Sequence, residues 1–450
     1  MKHIIAIFAF SFGLCFLICI PCMDARAASP ESEAEASYYE QWRQWTEEGV
    51  RGPGETHYYW KDGFHVDRPK KDITLTFNLS VMVDGGYIGA DDELESSFND
   101  LAGSKLDFRQ FRLATLGTLG DWADFKLDID FANVRDIKDE WIRLKKLPFI
   151  RFITLGYMKE PFSLSSWTSL KSIPFMERPL SSDAFSPGRN FGIRRHTAAL
   201  DGRMTWALGF FLNTGSFGTV GASKDQISDA NGFNLTGRVT YLPWYEENGE
   251  RVLHLGLSYS HLFRDTADTG NPEQYRARPE SRLTDDRLVD TGQFPSKGAH
   301  LINPEFAMVK GPLSFQGEFT SVVEDGEELG HLHLWGFYLG CSYFLTGEYK
   351  HYGRRSGTFF RLEPNQDFRF RGEGWGALEL ALRFSFIDLN DEGIRGGKER
   401  NLTAGLNWYL TKKTRFMFNY INARVKDRLT PPAVEDGRAN ILQARFQIEF

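Results

Sequence analysis

The chain has 450 residues, a net charge of −7 at neutral pH, 41% hydrophobic residues and four cysteines. Its acidic balance argues against a nucleic-acid partner, because such proteins carry a basic footprint. The ordinary hydrophobic fraction excludes neither a soluble protein nor a transmembrane barrel, since a barrel strand needs an apolar residue only at every second position.

Taken in chain order, Lys2 and His3 precede an apolar run over 4–20, and Ala25-Arg-Ala27 offers a small-x-small cleavage site. Residues 1–27 therefore read as a secretory signal peptide, with the mature chain starting near Ala28. No later apolar run reaches the roughly 20 residues that a transmembrane helix needs. Cys15, Cys19 and Cys22 lie in the leader. Only Cys341 remains, so the exported chain is expected to fold without an intrachain disulfide. Residues 28–70 read as a periplasmic N-terminal extension, acidic at first, with a short helix near Tyr38–Trp45 and a brief hairpin over Tyr58–Val66.

From Ile73 the pattern becomes regular. Ile73, Leu75, Phe77, Leu79, Val81 and Val83 alternate with Thr74, Thr76, Asn78, Ser80 and Met82. Side chains of a strand point to opposite faces in turn, so each such segment has one apolar and one polar face. About 16 segments of this kind follow, each near the 9–11 residues that cross a bilayer at a tilt. They are expected near 72–83, 105–117, 121–132, 137–145, 149–158, 190–200, 203–213, 231–242, 250–263, 298–309, 312–323, 331–346, 374–387, 399–411, 414–425 and 438–450. The last has Leu442, Ala444, Phe446, Ile448 and Phe450 on one face, and Ile441, Gln443, Arg445, Gln447 and Glu449 on the other.

Short turns near 117–120, 201–202, 310–312 and 411–414 alternate with longer loops near 84–104, 159–189, 214–230, 264–297, 388–398 and 426–437. That alternation fits an all-β, transmembrane, antiparallel up-and-down β-barrel spanning 71–450, with short periplasmic turns and long external loops. One connection departs from it. Residues 347–373 fall where a short turn belongs, so either that segment projects into the periplasm or the strand count is off by two there. Closure removes the sheet edges that lipid would not tolerate, and a barrel this wide encloses water. The function that follows is passive passage of small hydrophilic solutes across an outer membrane.

Several segments, in order, resemble the phosphate-selective porin O and P family of Gram-negative outer membranes. They are Gly156-Tyr-Met-Lys-Glu-Pro-Phe-Ser-Leu164, Phe175-Met-Glu-Arg-Pro179, Pro187-Gly-Arg-Asn-Phe-Gly192 and Phe344-Leu-Thr-Gly-Glu348. Gly376–Leu389, Asn401–Leu410 and Asn419-Tyr-Ile421 complete the series. The resemblance implies sixteen strands, a homotrimer and a third external loop, about 158–190, folded inward as a constriction. It also implies lumenal Arg and Lys that bind phosphate or pyrophosphate. Insertion among outer-membrane lipids by the barrel-assembly machinery goes with such a chain.

An anion site needs cations converging at one depth. In the constriction region Lys159, Lys171, Arg178, Arg189 and Arg194 qualify, and strand parity adds Arg112, Lys126, Arg238, Arg383 and Arg445 to the lumenal side. Parity places Asp124, Asp128, Asp130, Glu305, Glu318, Glu379 and Glu449 there too. For any single Arg, a wall salt bridge or a contact anchoring the loop is the more common role. Trp167, Phe175 and Phe185 are expected to pack the loop against the wall, and Cys341 to sit on the lipid face. No Gly-x-Ser-x-Gly, His-Glu-x-x-His or phosphate-cradling glycine loop is present, so neither an enzyme, a cofactor nor a metal site is expected. The rival readings are a general or cation-tolerant porin, a channel specific for sugars or peptides, and a soluble or surface β-sheet adhesin.

Overall fold

The computed structural model describes residues 50–52, 56–68, 71–132, 136–214, 232–264, 273–326 and 329–450. The leader and the helix expected near Tyr38–Trp45 lie outside them. The barrel strands, numbered here from the first that spans, open with β1 (Ile73–Ala90), β2 (Gly103–Leu119), β3 (Ala123–Asp130) and β4 (Asp136–Leu147). Then come β5 (Arg151–Lys159), β6 (Arg189–Ala199), β7 (Met204–Leu212) and β8 (Phe233–Glu246). The second half comprises β9 (Arg251–Phe263), β10 (Ser296–Lys310), β11 (Leu313–Gly326) and β12 (Gly330–Phe344). It ends with β13 (Ala377–Asp391), β14 (Ile394–Thr411), β15 (Thr414–Arg428) and β16 (Val434–Glu449). Each pairs antiparallel with the next, and β16 pairs with β1, which closes the sixteen-stranded barrel.

Alternation in the sequence becomes inside and outside. In β9, Leu255, Leu257 and Tyr259 are exposed outward, while His254, Ser258 and Ser260 are fully buried on the inner side. Cys341 pairs laterally with Phe315 and Leu382, both on the outer face. The parity breaks at one place that matters. In the β1–β2 pair, Met82 lies opposite Gln110 but Asp84 lies opposite Asp107. One extra residue in β2 makes a bulge there, and a bulge re-aims the side chains that follow it. Leu106 and Phe108 face outward below it and Phe111 and Leu113 above it, so Arg109 and Gln110 both turn inward. A second bulge in β4, between Ile137 and Asp139, does the same for Lys138.

The strands run further on the external side than the apolar pattern suggested. Connections 392–393 and 429–433 are short, where loops near 388–398 and 426–437 were expected. The sheet continues past the bilayer, where outward side chains meet water and need not be apolar. At the other end, Thr56–Trp60 and Phe64–Arg68 form the expected hairpin, with Val50–Gly52 beside it. Phe64–Arg68 pairs with β1 from Phe77 to Ile73. This is the part of the β1 edge that β16 leaves open, because the last residue, Phe450, bonds the backbone of Leu79.

The long connection after β12 adds no barrel strand. Within it Tyr352–Gly353 pairs with Thr358–Phe359, and this small hairpin turns back into the barrel, while 363–375 stays largely exposed beside the turn at 411–414. Tyr352 packs on Phe359 and its hydroxyl meets His254 Nδ1 at 2.6 Å, while Arg238 donates to the Gly357 carbonyl at 2.9 Å. Gly357 has φ +66, and a Cβ there would stand 2.8 Å from Thr205 Oγ1.

Two external connections also enter, after β5 and after β9. Their apolar residues Leu180, Phe185, Leu283, Leu288 and Val289 join inward-facing Ile88, Leu334, Ile387, Ile421 and Ile441 in one buried cluster. The short helix α1 (Asp92–Ser97), capped by the Asp91 carboxylate accepting from Leu94 N–H, adds Leu94 to it. Gly86 makes room for this packing, since a Cβ there would come 2.6 Å from Leu283 Cδ1. The outer half of the lumen therefore contains a dry core as well as a wet passage.

Candidate functional site

Beside this packing a space of about 600 Å³ stays open along β1–β5 and forms part of the passage. Eleven of its lining residues are Lys or Arg and five carry Asp or Glu side chains. The wall supplies Arg112 from β2, Lys126 from β3 and Lys159 at the end of β5. The loop between β5 and β6 crosses the lumen and adds Trp167, Lys171 and Arg178, with Arg189 at the start of β6. Six of the ten cations expected from sequence are thus brought into one space: Lys159, Lys171, Arg178, Arg189, Arg112 and Lys126.

The wall acids are matched to particular cations. Arg112 lies 3.3 Å from Asp128 and 3.4 Å from Asp130. Lys126 contacts Asp139 and lies 3.0 Å from Asp128, and Arg189 holds the other Asp139 oxygen at 3.0 Å. At the periplasmic mouth Glu449 is shared by Lys171, at 2.7 Å, and Arg361. Two cations differ. Lys159 Nζ donates to the Ser166 carbonyl at 2.6 Å. Arg178 donates to the carbonyls of Ser165, at 3.0 Å, and Thr168, at 2.9 Å. Neither has a carboxylate partner among the described residues. Burial, followed by Arg189, Arg109 and Arg282, brings the Arg178 guanidinium down to about 10 against the pull of Glu177, so it stays charged at neutral pH.

The other four expected cations face inward, as parity requires, but stand outside the passage as anchors. Arg445 is fully buried, bonds Asp84 at 2.6 and 2.7 Å, and reaches Glu177 at 2.7 Å and the Met176 carbonyl at 2.6 Å. Arg383 lies 4.3 Å over the Phe175 ring and bonds Glu280 at 2.5 Å and the Glu177 carbonyl at 3.0 Å. Arg238 is paired with Glu305 at 2.5 Å. Arg194 donates to the Lys159 carbonyl at 2.7 Å and stacks 4.7 Å from the Trp167 centroid, while its neighbour Arg195 points outward over Trp206.

Lumenal carboxylates hold the loop as well. Glu318 accepts the Leu164 and Ser165 N–H groups at 2.9 and 2.7 Å. Glu160 accepts from Asn190 and Asn234, both at 2.7 Å, and from Thr236. Glu177 sits between Arg109, at 2.6 Å, and Arg445. Burial pushes its carboxyl up, yet these guanidiniums and Arg282 hold it well below the usual carboxylate range.

Sequence reading missed Arg109, Lys138, Arg282, Arg361 and Lys413, which also line the passage. Arg109 has the opposite parity to Arg112, and only the bulge brings both inside. Arg282 and Arg361 come from the long connections near 264–297 and 347–373, whose path carries no periodicity.

The family model described as phosphate-selective porin O and P matches residues 81–450. Porin O of Pseudomonas aeruginosa is 23% identical over 411 residues, which cover 82% of this chain and 87% of that protein. An uncharacterized protein of Caulobacter vibrioides is 29% identical over 356 residues, covering 76% of this chain and 68% of its own. Among solved structures, an anion-selective porin from Comamonas acidovorans superposes with TM-score 0.50 at 16% identity, covering 84% of this chain and all (100%) of that one. OprB of Pseudomonas putida gives TM-score 0.51 at 13% identity, covering 85% and 95%.

Proposed function

Starting from the fact that the chain belongs to the phosphate-selective porin O and P family, and is an outer-membrane channel of a Gram-negative bacterium, we propose that it passes small anions of the phosphate and pyrophosphate class. One observation carries this reading. Lys159 and Arg178 stand at the constriction with backbone carbonyls, not carboxylates, as their partners. A passing anion supplies the countercharge they lack, and a guanidinium beside an ammonium suits a tetrahedral oxyanion. Arg109, Arg112, Arg189 and Arg282 line the same space, but each also faces a carboxylate, so Lys159 and Arg178 carry the charge left for a solute. The description of the family and the name of the anion-selective Comamonas porin agree with this chemistry.

The same reading includes cleavage of the leader after residue 27, a periplasmic extension over 28–70 and assembly as a homotrimer. Planar bilayers test the function. In a potassium chloride gradient the reversal potential should show preference for chloride, and added phosphate should block the chloride current. Preference for potassium with no block by phosphate would leave a general or cation-tolerant porin. Block by a neutral sugar or a peptide alone would leave a channel specific for that solute.

A further inference from the structure

The outer surface of β14–β16 carries a row of cations that the channel does not use. Arg400, Arg424 and Arg438 lie directly opposite one another across the three strands. Lys398 and Lys426 form a second pair two residues nearer the external rim. All five share outward parity with Leu402 and Tyr420, which are exposed, whereas the intervening Glu399, Ala423, Val425 and Ala439 are fully buried toward the lumen. Two carboxylates offset part of this charge. Asp436 contacts Arg424, at 2.6 Å through Nε, and Lys426, at 3.1 Å, while Asp388 holds Lys398 at 3.0 Å. The side chains of Arg400 and Arg438 have no acidic partner among the described residues.

Their depth is informative. On the same face of β14, Trp408 sits level with Phe416 and Phe446, an aromatic band near the periplasmic end. Arg400 lies eight residues further on, or about 20 Å along the membrane normal at roughly 3.3 Å per residue and a tilt of about 40°. The apolar band of such barrels is about 25 Å tall. The cation row therefore falls at the outer-leaflet headgroup boundary. Like charges directly opposite in a sheet are destabilising, and strand neighbours are only about 4.8 Å apart. An anion bridging the row relieves that cost, and at this depth the anions at hand belong to lipid.

We propose that this face binds the phosphorylated sugar headgroup of an outer-leaflet glycolipid, with Arg400 and Arg438 gripping phosphate and Arg424, Lys398 and Lys426 extending the field. The site rests on the outer-membrane placement but is separate from the passage, so lipid binding and conductance are read independently. The test uses the full-length protein purified in detergent, incubated with bisphosphorylated lipid A or with phosphatidylcholine, and examined by native mass spectrometry. Wild type should retain lipid A in preference to phosphatidylcholine. The double variant Arg400→Gln/Arg438→Gln should lose at least tenfold in lipid A affinity, Arg400→Lys/Arg438→Lys should recover most of it, and phosphate block should stay unchanged in both. Equal retention of lipid A by wild type and the glutamine variant would overturn the site. Displacement of lipid A by millimolar inorganic phosphate alone would overturn the lipid assignment in favour of free phosphate. Dissociation of an oligomer with lipid retention unaltered would overturn it in favour of a contact between protomers. Heat-modifiable gel migration of both variants verifies that the barrel has closed.

Discussion

Replacing Lys159 and Arg178 together by Gln removes two passage-lining cations that lack carboxylate partners among the described residues. Glutamine keeps an N–H donor for the Ser166 and Ser165 carbonyls, so the change aims at charge more than at loop attachment. Two unit charges about 4 Å apart attract by roughly 1 kcal/mol in bulk water and roughly 4 kcal/mol at an effective dielectric constant near 20. The passage is wet but walled by protein, so about 1.5 kcal/mol per cation is a reasonable middle value. With about 1.4 kcal/mol per tenfold in affinity, each single variant should weaken phosphate binding about tenfold and the pair about a hundredfold. The assay is the phosphate concentration that halves the chloride current in planar bilayers. Arg251→Gln is the control, since that guanidinium is exposed at the turn before β9 and pairs with Glu247 away from the passage. If the double variant were blocked at the wild-type concentration, the assignment of these two side chains to the anion path would be refuted.

Arg445→Met leaves Asp84 buried and unpaired and takes a partner from Glu177, and breaking such a buried pair costs about 3–5 kcal/mol. The thermal midpoint in detergent should fall, and single-channel current should become larger or noisier as the constriction loop loosens. Glu177 gives a pH signature. Its carboxyl is held below the usual range, so its contribution is complete above the unfolded value of about 4.3 and is lost only as pH falls through its own lower value. The difference in thermal midpoint between wild type and Glu177→Gln should be constant above about pH 5 and should shrink in stronger acid; a difference that instead grew on acidification would reverse the sign and defeat the account. Glu449→Gln frees Lys171 and Arg361 from their shared carboxylate. The ratio of chloride to potassium permeability, read from reversal potentials, should rise.

Period-two alternation carried the architecture. The sixteen strand positions were visible from it, because lipid favours apolar residues on the outer face, though less cleanly in spans such as β4 and β6, where Glu140 and Arg195 face outward. It failed where that enforcement stops. At and beyond the external edge of the apolar band, β14 continues through residues 394–398, which the alternation assigns to a loop, with Lys398 pointing outward. Within the bilayer, parity identifies a side of the wall and nothing about depth or company. Arg112 and Arg445 have the same inward orientation, yet one lines the passage and the other is sealed beneath the loop. Arg109 needed a bulge, which no alternation announces. The inserted connections were the hardest part. Leu283 and Tyr352 are apolar or aromatic residues in aperiodic stretches, and their burial depends on which wall positions, such as Gly86 and His254, are shaped to receive them.

Arg445 and Asp84 stand 361 positions apart along the chain, and they meet only when the last strand reaches the first. Such a contact is as non-local as this polymer allows, so the loop-closure entropy it must overcome is large and its formation belongs late in folding. The same guanidinium also grips Glu177 and the Met176 carbonyl. Sealing the cylinder and seating its internal gatepost are therefore a single cooperative event, and a half-wound intermediate lacks the fastening that narrows its own bore.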